Sequence, residues 1–284
     1  MSGKLYLCAT PIGNLEDITL RALRILEEAD LIAAEDTRNS IKLLNHFNIK
    51  TPMTSYHEYN KIEKAYQLVE KMKNGQNIAL ITDAGTPGIS DPGEDLVRIC
   101  QESGITVTSL PGACACITAL TMSGLPTRRF AFEAFLPKDK KERAFLLSVL
   151  EQETRTIVLY EAPHHLVKTL RELYEVLGDR KITLCRELTK KYETLLSTTL
   201  SGAVSYYTEQ EPRGEFVLVI QGKSQQEILE KQRQNWERLS LEEHMAHYEN
   251  QNISRKEAMK QVAKDRGISK REVYQELLQN SNEK

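Results

Sequence analysis

Residues Ile78 to Gly93 read IALITDAGTPGISDPG, and this stretch decides the fold class. The apolar run Ile78–Thr82 has the length and composition of a buried strand. It opens into Asp83–Gly93, which holds three glycines and two prolines in eleven residues. Glycine lets backbone approach a ligand closely, and proline holds the shape of the loop. A plain turn is seldom so long. A helix follows from Glu94 to Ser103, closed by Gly104. Strand, glycine-rich loop and helix form the repeating unit of an open parallel sheet, which gathers ligands at the carboxyl ends of its strands. In this loop Asp83 offers a carboxylate to a ribose hydroxyl or an amine, and Thr86 offers a hydroxyl.

The same unit recurs on both sides. Leu5–Ala9 reads as a strand, Asp17–Glu28 as an amphipathic helix, and Leu31–Ala34 as a strand ending in Glu35-Asp36-Thr37-Arg38. Glu58–Asn74 reads as a helix closed by Gly75, Thr106–Leu110 as a strand, and Ala113–Met122 as a helix entered through Pro111-Gly112. Thr10-Pro11-Ile12-Gly13-Asn14 and Pro111-Gly112-Ala113 are therefore expected at the same sheet edge as Asp83–Gly93, forming a pocket lined by backbone at three strand ends. A seam falls at Gly124-Leu125-Pro126-Thr127. Beyond it come strand Phe130–Phe135, helix Asp139–Leu150, strand Thr156–Glu161, a helix from Pro163 to Gly178, and strands Ile182–Arg186 and Phe216–Gln221. The alternation is less regular there, so a mixed sheet is expected. From Ser224 the pattern is helical and polar. The reading is two α/β domains, 1–124 and 125–223, followed by a helical unit over 224–284.

Several classes drop out. A formal charge of -2 over 284 residues argues against a surface that binds nucleic acid everywhere, while leaving room for a local basic patch. No run approaches 18 apolar residues, so no membrane span is expected. The opening MSGKLYLCATPIGN is too weakly charged and too briefly apolar for a signal peptide, and a cytoplasmic location is expected. The five cysteines form no CxxC pair, and Cys114 and Cys116 read as small buried side chains rather than as metal ligands. There is no GxxxxGK[ST] for a P-loop and no GxGxxG for a dinucleotide site.

LYLCATPIGNLEDITLRAL, AEDTR, LITDAGTPGISDPG, PGACACITAL, YEAPHH, CRELTKKYE and RGEFVLVI together resemble the signature segments of the tetrapyrrole-methylase superfamily, in order from Leu5 to Gln221. AEDTR and the helical tail make the chain more similar to the branch that methylates the ribose 2′-oxygen of a cytidine in small-subunit (16S) ribosomal RNA. The resemblance implies a homodimer of two α/β domains with S-adenosyl-L-methionine in the cleft between them. It implies that the cofactor meets Pro11 and Ile12, then Asp83, Gly85, Thr86 and Ile89, then Gly112 and Ala113. From the second domain it implies Tyr160, Glu161 and Ala162, with Leu188, Pro212 and Gly214 near the end.

Methyl transfer from a sulfonium is a single displacement that asks for alignment and exclusion of water. A ribose hydroxyl is a poor nucleophile, so a base or a nearby cation helps. Asp36 and Arg38 are candidates to position RNA, Arg38 by a bidentate phosphate contact, with Glu35 or Glu187 as proton acceptor. The plainer reading of Glu35–Arg38 is an N-cap with a first-turn charge pair. Lys190 and Lys191 offer point charges to substrate, or else solvated surface. His164-His165 reads as a polar helix start, His244 and His247 lack a third metal ligand, and Trp236 reads as a packing anchor for the tail.

Within the tail, Ser254-Arg255-Lys256-Glu257 has a capping-box pattern ahead of apolar Ala258, Val262 and Ala263. Gly267 ends that helix, and Ser269 opens another carrying Val273, Tyr274 and Leu277, the outline of a helix-turn-helix. Between Ser254 and Glu272 seven basic residues oppose three acidic ones, which makes Lys264, Arg266, Lys270 and Arg271 candidates for phosphate contact. The alternative is a solvated two-helix cap. The function expected is therefore ribosomal RNA methylation, on naked RNA or the small subunit. The alternatives are a methyltransferase for a tetrapyrrole or other small molecule, and a non-catalytic helix-turn-helix protein.

Overall fold

Strand β4 (Ile78–Ile81) is buried at all four residues and lies at the centre of the first sheet. Around it are β1 (Lys4–Cys8), β2 (Leu31–Ala34), β3 (Met53–Ser55) and β5 (Thr106–Leu110), in the order β3-β2-β4-β1-β5. Every pairing is parallel. All the carboxyl ends therefore lie on one edge, with the loops after Cys8, Ala34, Ile81 and Leu110 side by side. Leu5, Leu7 and Leu80 pack beneath Leu68, Met72 and Ile99 on one face, while Ile32, Ala79 and Ile81 pack with Leu26 and Leu44 on the other. The computed structural model describes residues 2–224, 227, 230, 236 and 238–282, with side chains described as far as residue 279.

The helices of this sheet start where a side chain can satisfy their free N–H groups. The expected helix Asp17–Glu28 divides into a 3-10 turn, Leu15–Asp17, and α1 (Leu20–Glu28), because Thr19 caps α1 by accepting from the Ala22 N–H at 3.1 Å. Helix α2 (Thr37–His46) is capped by Asp36, as the plainer reading of that segment holds. α3 (Lys61–Lys73), α4 (Gly93–Glu102) and α5 (Ala115–Met122) complete the set.

The second sheet contains β6 (Phe130–Phe135), β7 (Thr156–Glu161), β8 (Lys181–Arg186), β9 (Thr194–Thr199) and β10 (Phe216–Ile220), in the order β6-β7-β10-β8-β9. Only β6 and β7 run parallel, and a register shift falls between Phe132 and Ala134. Helices α6 (Lys140–Glu151), α7 (Pro163–Leu177) and α8 (Leu200–Glu209) cover one face, burying Leu150, Leu166, Leu170, Leu173 and Ala203. Helix α5 covers the other: Cys116, Ala119 and Leu120 pack against Val158, Cys185, Val217 and Val219. Ile12 joins the same cluster, so a loop of the first sheet meets a face of the second. The two sheets form one compact unit, Met1–Gln221, and Gly222–Lys284 form another.

That second unit holds α9 (Leu241–Glu249), α10 (Arg255–Arg266) and α11 (Lys270–Asn282) around Leu241, Met245, Ala258, Val262, Val273 and Leu277. Gly267 closes α10 in the left-handed conformation. His244 is buried with Trp236 stacked on it at 4.0 Å, Asp265 at 3.3 Å from its Nε2, and the Arg266 Nε–H donating to its Nδ1.

Candidate functional site

A cavity of about 450 Å³ opens between the carboxyl edge of the first sheet and the second sheet. From the first sheet come Ile12, Ala84, Gly85, Thr86, Ile89 and, ahead of α5, Cys114. From the second come Tyr160, Glu161, Ala162, Cys185, Leu188 and Val217. Of the residues expected to meet the cofactor, Ile12, Gly85, Thr86, Ile89, Tyr160, Glu161, Ala162 and Leu188 line it. Ala113 holds its edge: its carbonyl accepts from the Thr86 hydroxyl at 2.9 Å, tying two loops together. Gly85 has φ +85, and a Cβ there would meet Ile12 Cγ2 and the Ala113 carbonyl at 3.2 and 3.3 Å, so glycine is required both for its conformation and for space. Glu161 is buried, its carboxylate accepting from the Thr169 hydroxyl at 2.5 Å and the Ala162 N–H at 2.8 Å.

Thr10 and Gly85 exchange two backbone hydrogen bonds, of 2.9 and 3.0 Å, and this bridge divides the sheet edge. Beyond it lies a second cleft of about 340 Å³, lined by Thr10, Pro11, Asn39, Lys42, His46 and Asp83 among others. Pro11 and Asp83 thus face this cleft and not the cavity. Ile12 and Ala84 take the cavity, and their neighbours Pro11 and Asp83 take the cleft. Gly112, Pro212 and Gly214 do not line the cavity either. Gly112 packs against Ala9, and a Cβ on Gly214 would stand 2.6 Å from Glu187.

The candidate catalytic carboxylates divide into two groups. By the cleft, Glu35 accepts from the Thr82 hydroxyl at 2.5 Å, and Asn39 reaches Asp83 at 3.4 Å. Burial raises the Asp83 carboxyl above its ordinary value, with Glu35 and Asp36 adding repulsion. Asp36 caps α2 and receives two hydrogen bonds from the Arg38 guanidinium, at 3.0 and 2.7 Å, which hold its carboxyl down to about 2. Glu187 lies apart from this group. Burial works to raise it, but the Glu215 N–H and the Lys190 ammonium outweigh burial and lower it. A lowered carboxyl is a weak base, which tells against Glu187 as proton acceptor. Lys190 is held between Glu187 at 3.0 Å and Glu215 at 2.9 Å, while Lys191 lies 5.5 Å above the Tyr192 ring.

His164 and His165 are exposed at the start of α7. In the tail, Lys264 and Arg271 are exposed and Lys270 is half-buried. The reading of Arg266 as a phosphate contact is corrected by its position. Its Nη2 donates to the carbonyls of Trp236, Leu239 and Ser240 at 3.1, 2.6 and 3.1 Å and its Nε to His244, so these donors are directed into the tail. Residues missed from sequence include Ala84, Cys114, Ala115, Phe135, Cys185 and Glu215 on the cavity wall. Lys42 and His46 were missed as well; their signal was the spacing of Asn39, Lys42 and His46, which places all three on one face of a helix.

The profile of the family described as Tetrapyrrole (Corrin/Porphyrin) Methylases matches residues 4–204. A Halalkalibacterium halodurans protein named ribosomal RNA small subunit methyltransferase I is 49% identical over 272 residues, covering 96% of this chain and 93% of the relative. The Bacillus subtilis protein of that name is 47% identical over 272 residues, with the same coverage of 96% and 93%. Among solved structures, diphthine synthase is similar with a TM-score of 0.61 at 13% identity, covering 77% of this chain and 90% of that one. Uroporphyrin-III-C-methyltransferase from Thermus thermophilus has a TM-score of 0.55 at 21% identity, over 76% of this chain and 94% of that one. These solved structures share the fold with this protein. With its profile matched across most of its length, the chain belongs to the tetrapyrrole methylase family.

Proposed function

We propose that this protein transfers the methyl group of S-adenosylmethionine to the ribose 2′-hydroxyl of a cytidine in small-subunit (16S) ribosomal RNA. The observation that carries the reading is the cavity between the two sheets, lined by Ile12, Gly85, Thr86 and Ile89 from the first and by Tyr160, Glu161, Ala162 and Leu188 from the second. When bound, S-adenosylmethionine supplies a methyl carbon made electrophilic by its sulfonium. Ile12, Ile89, Leu188 and Val217 would hold the adenosyl group by burial. The names of the relatives at 49% and 47% identity support ribosomal RNA as the substrate, and the ribose oxygen and the cytidine follow from the resemblance of the sequence segments.

The protein's own share is binding, orientation and proton removal. Arg38 and Lys42 beside the second cleft supply charge for RNA phosphates, with Asp36 fixing the Arg38 guanidinium and His46 lining the same cleft. Lys264, Lys270 and Arg271 do the same on the tail, and Lys190 and Lys191 near the cavity rim. Asp83 and Glu35 are the carboxylates best suited to accept the hydroxyl proton. A cytoplasmic homodimer accompanies this reading, and sedimentation velocity tests the dimer.

The test is calorimetric titration with S-adenosylmethionine, on the intact protein and on Ala115→Leu, which adds bulk to the cavity wall. The expected result is binding to the intact protein, weakened at least tenfold in the variant. Labelled methyl should enter small-subunit RNA at a position that resists alkaline hydrolysis. Label entering a porphyrinoid and not RNA would overturn the substrate assignment.

A further inference from the structure

We propose that Cys114 and Cys116 form an oxidisable dithiol in the wall of the cavity, and that a peroxide closes it into a disulfide that abolishes cofactor binding. The consequence for the cofactor rests on the binding reading above; the chemistry of the pair does not.

The two sulfurs lie 3.4 Å apart. Cys114 is the N-cap of α5, half-exposed and on the cavity wall, and Cys116 is buried one residue into the helix. The Cys116 thiol beside it holds the Cys114 thiol down to about 6, with burial opposing and the Ile117 and Cys116 N–H groups of the first turn assisting. Cys116 moves the opposite way, raised by Cys114 and by burial. One sulfur is therefore a nucleophile at neutral pH, and its neighbour keeps the proton it needs to give up later. The other cysteines make a contrast within the same chain. Cys8, Cys100 and Cys185 are buried and their thiols are pushed up to about 12.

With hydrogen peroxide as oxidant the steps balance. The Cys114 thiolate attacks one peroxide oxygen; the S–O bond forms, the O–O bond breaks, and the departing hydroxide leaves as water, giving a sulfenic acid. The Cys116 sulfur then attacks the Cys114 sulfur and expels hydroxide, which takes the Cys116 proton and leaves as a second water. Two thiols and one peroxide become one disulfide and two waters.

Closing the bridge draws the sulfurs from 3.4 Å to about 2.0 Å. The movement falls on the residue next to Ala113, whose carbonyl accepts the Thr86 hydroxyl and so ties the two cofactor loops. It also falls on the Cys116 N–H, which donates to the hydroxyl of cavity-lining Tyr160 at 3.2 Å and so links α5 to the second sheet. Bridging thus disturbs both walls at once.

The experiment treats the reduced full-length protein with equimolar hydrogen peroxide, then follows peptide mass and S-adenosylmethionine affinity. Expected are a Cys114–Cys116 link in one peptide, a loss of affinity of at least tenfold reversed by dithiothreitol, and slower bridging when the cofactor is present in excess. Cys116→Ser should stop at a sulfenic acid that dimedone traps, and Cys114→Ser should react no faster than the three buried thiols. Absence of the link in the mass spectra, or a linked protein that binds cofactor as the reduced one does, overturns the proposal. A reduced protein that fails to bind at all overturns the cofactor reading instead, while the mass spectra still decide the dithiol.

Discussion

Gly112 shows how little room the loops at the sheet edge leave. A Cβ at this position would stand 2.5 Å from the Cβ of Ala9, inside van der Waals contact, where the loop after β5 presses on the end of β1. Gly112→Ala is expected to destabilise the protein by about 1–3 kcal/mol, the usual cost of overpacking. It should also weaken cofactor binding, since the strain is relieved by moving a cavity loop. Urea denaturation checks the first effect, and an unshifted midpoint would show that the loop yields freely. A second residue with a readable consequence is Glu153. The Arg155 guanidinium donates to it at 2.9 and 2.6 Å and holds its carboxyl at about 2, against an ordinary 4.5. A carboxyl depressed in the folded state contributes stability that is present above pH 4.5 and lost as pH falls toward 2. Glu153→Gln is therefore expected to flatten the acid-denaturation curve in that window, and a curve with its original slope would refute the assignment.

Elements were legible where a short apolar or β-branched run is bounded by turn or charged residues. Leu31–Ala34, Thr106–Leu110, Phe130–Phe135 and Thr156–Glu161 carry the bounds read from the sequence. The elements that escaped carry weaker local patterns. Helix α2 buries only Ser40 and Leu44, and β9 is an edge strand with no fully buried residue. Strand β3 has three residues, and α8 holds a glycine and β-branched residues that obscure its helical pattern. The tail offers a prediction at this scale. Burial pushes the His244 imidazole below its ordinary 6.5, Arg266 adding to the effect and Asp265 opposing it, with His247 a smaller contribution in the same direction as burial. A histidine depressed in the folded state takes its proton more readily in the unfolded chain. The tail should therefore lose stability as pH falls below 6.5, and His244→Gln should remove that slope. Trp236, the single tryptophan of the chain, stacks on His244 and reports the transition by fluorescence. A tail equally stable at pH 7 and pH 5 would sink the prediction.

Across the whole molecule, the division after Gln221 predicts separable roles. A chain ending at Gln221 is expected to melt cooperatively and to bind S-adenosylmethionine as the full chain does. Its affinity for RNA should fall, with a shallower dependence on salt, because Lys264, Lys270 and Arg271 no longer displace counterions. Filter binding at several salt concentrations checks this, and an unchanged salt slope would remove the tail from the RNA interface. The sequence by itself determined the parallel sheet, the mixed sheet and the loops that line the cavity, because strand burial and glycine-rich turns are local properties written in consecutive residues. Only the tertiary structure decided which side of the Thr10–Gly85 bridge each loop residue serves, sending Ile12 and Ala84 to the cavity and Pro11 and Asp83 to the cleft. It likewise turned Arg266 onto the carbonyls of Trp236, Leu239 and Ser240. The reason is the same in each case: a side chain's direction and partners are set by the elements packed against it, and those come from distant parts of the chain.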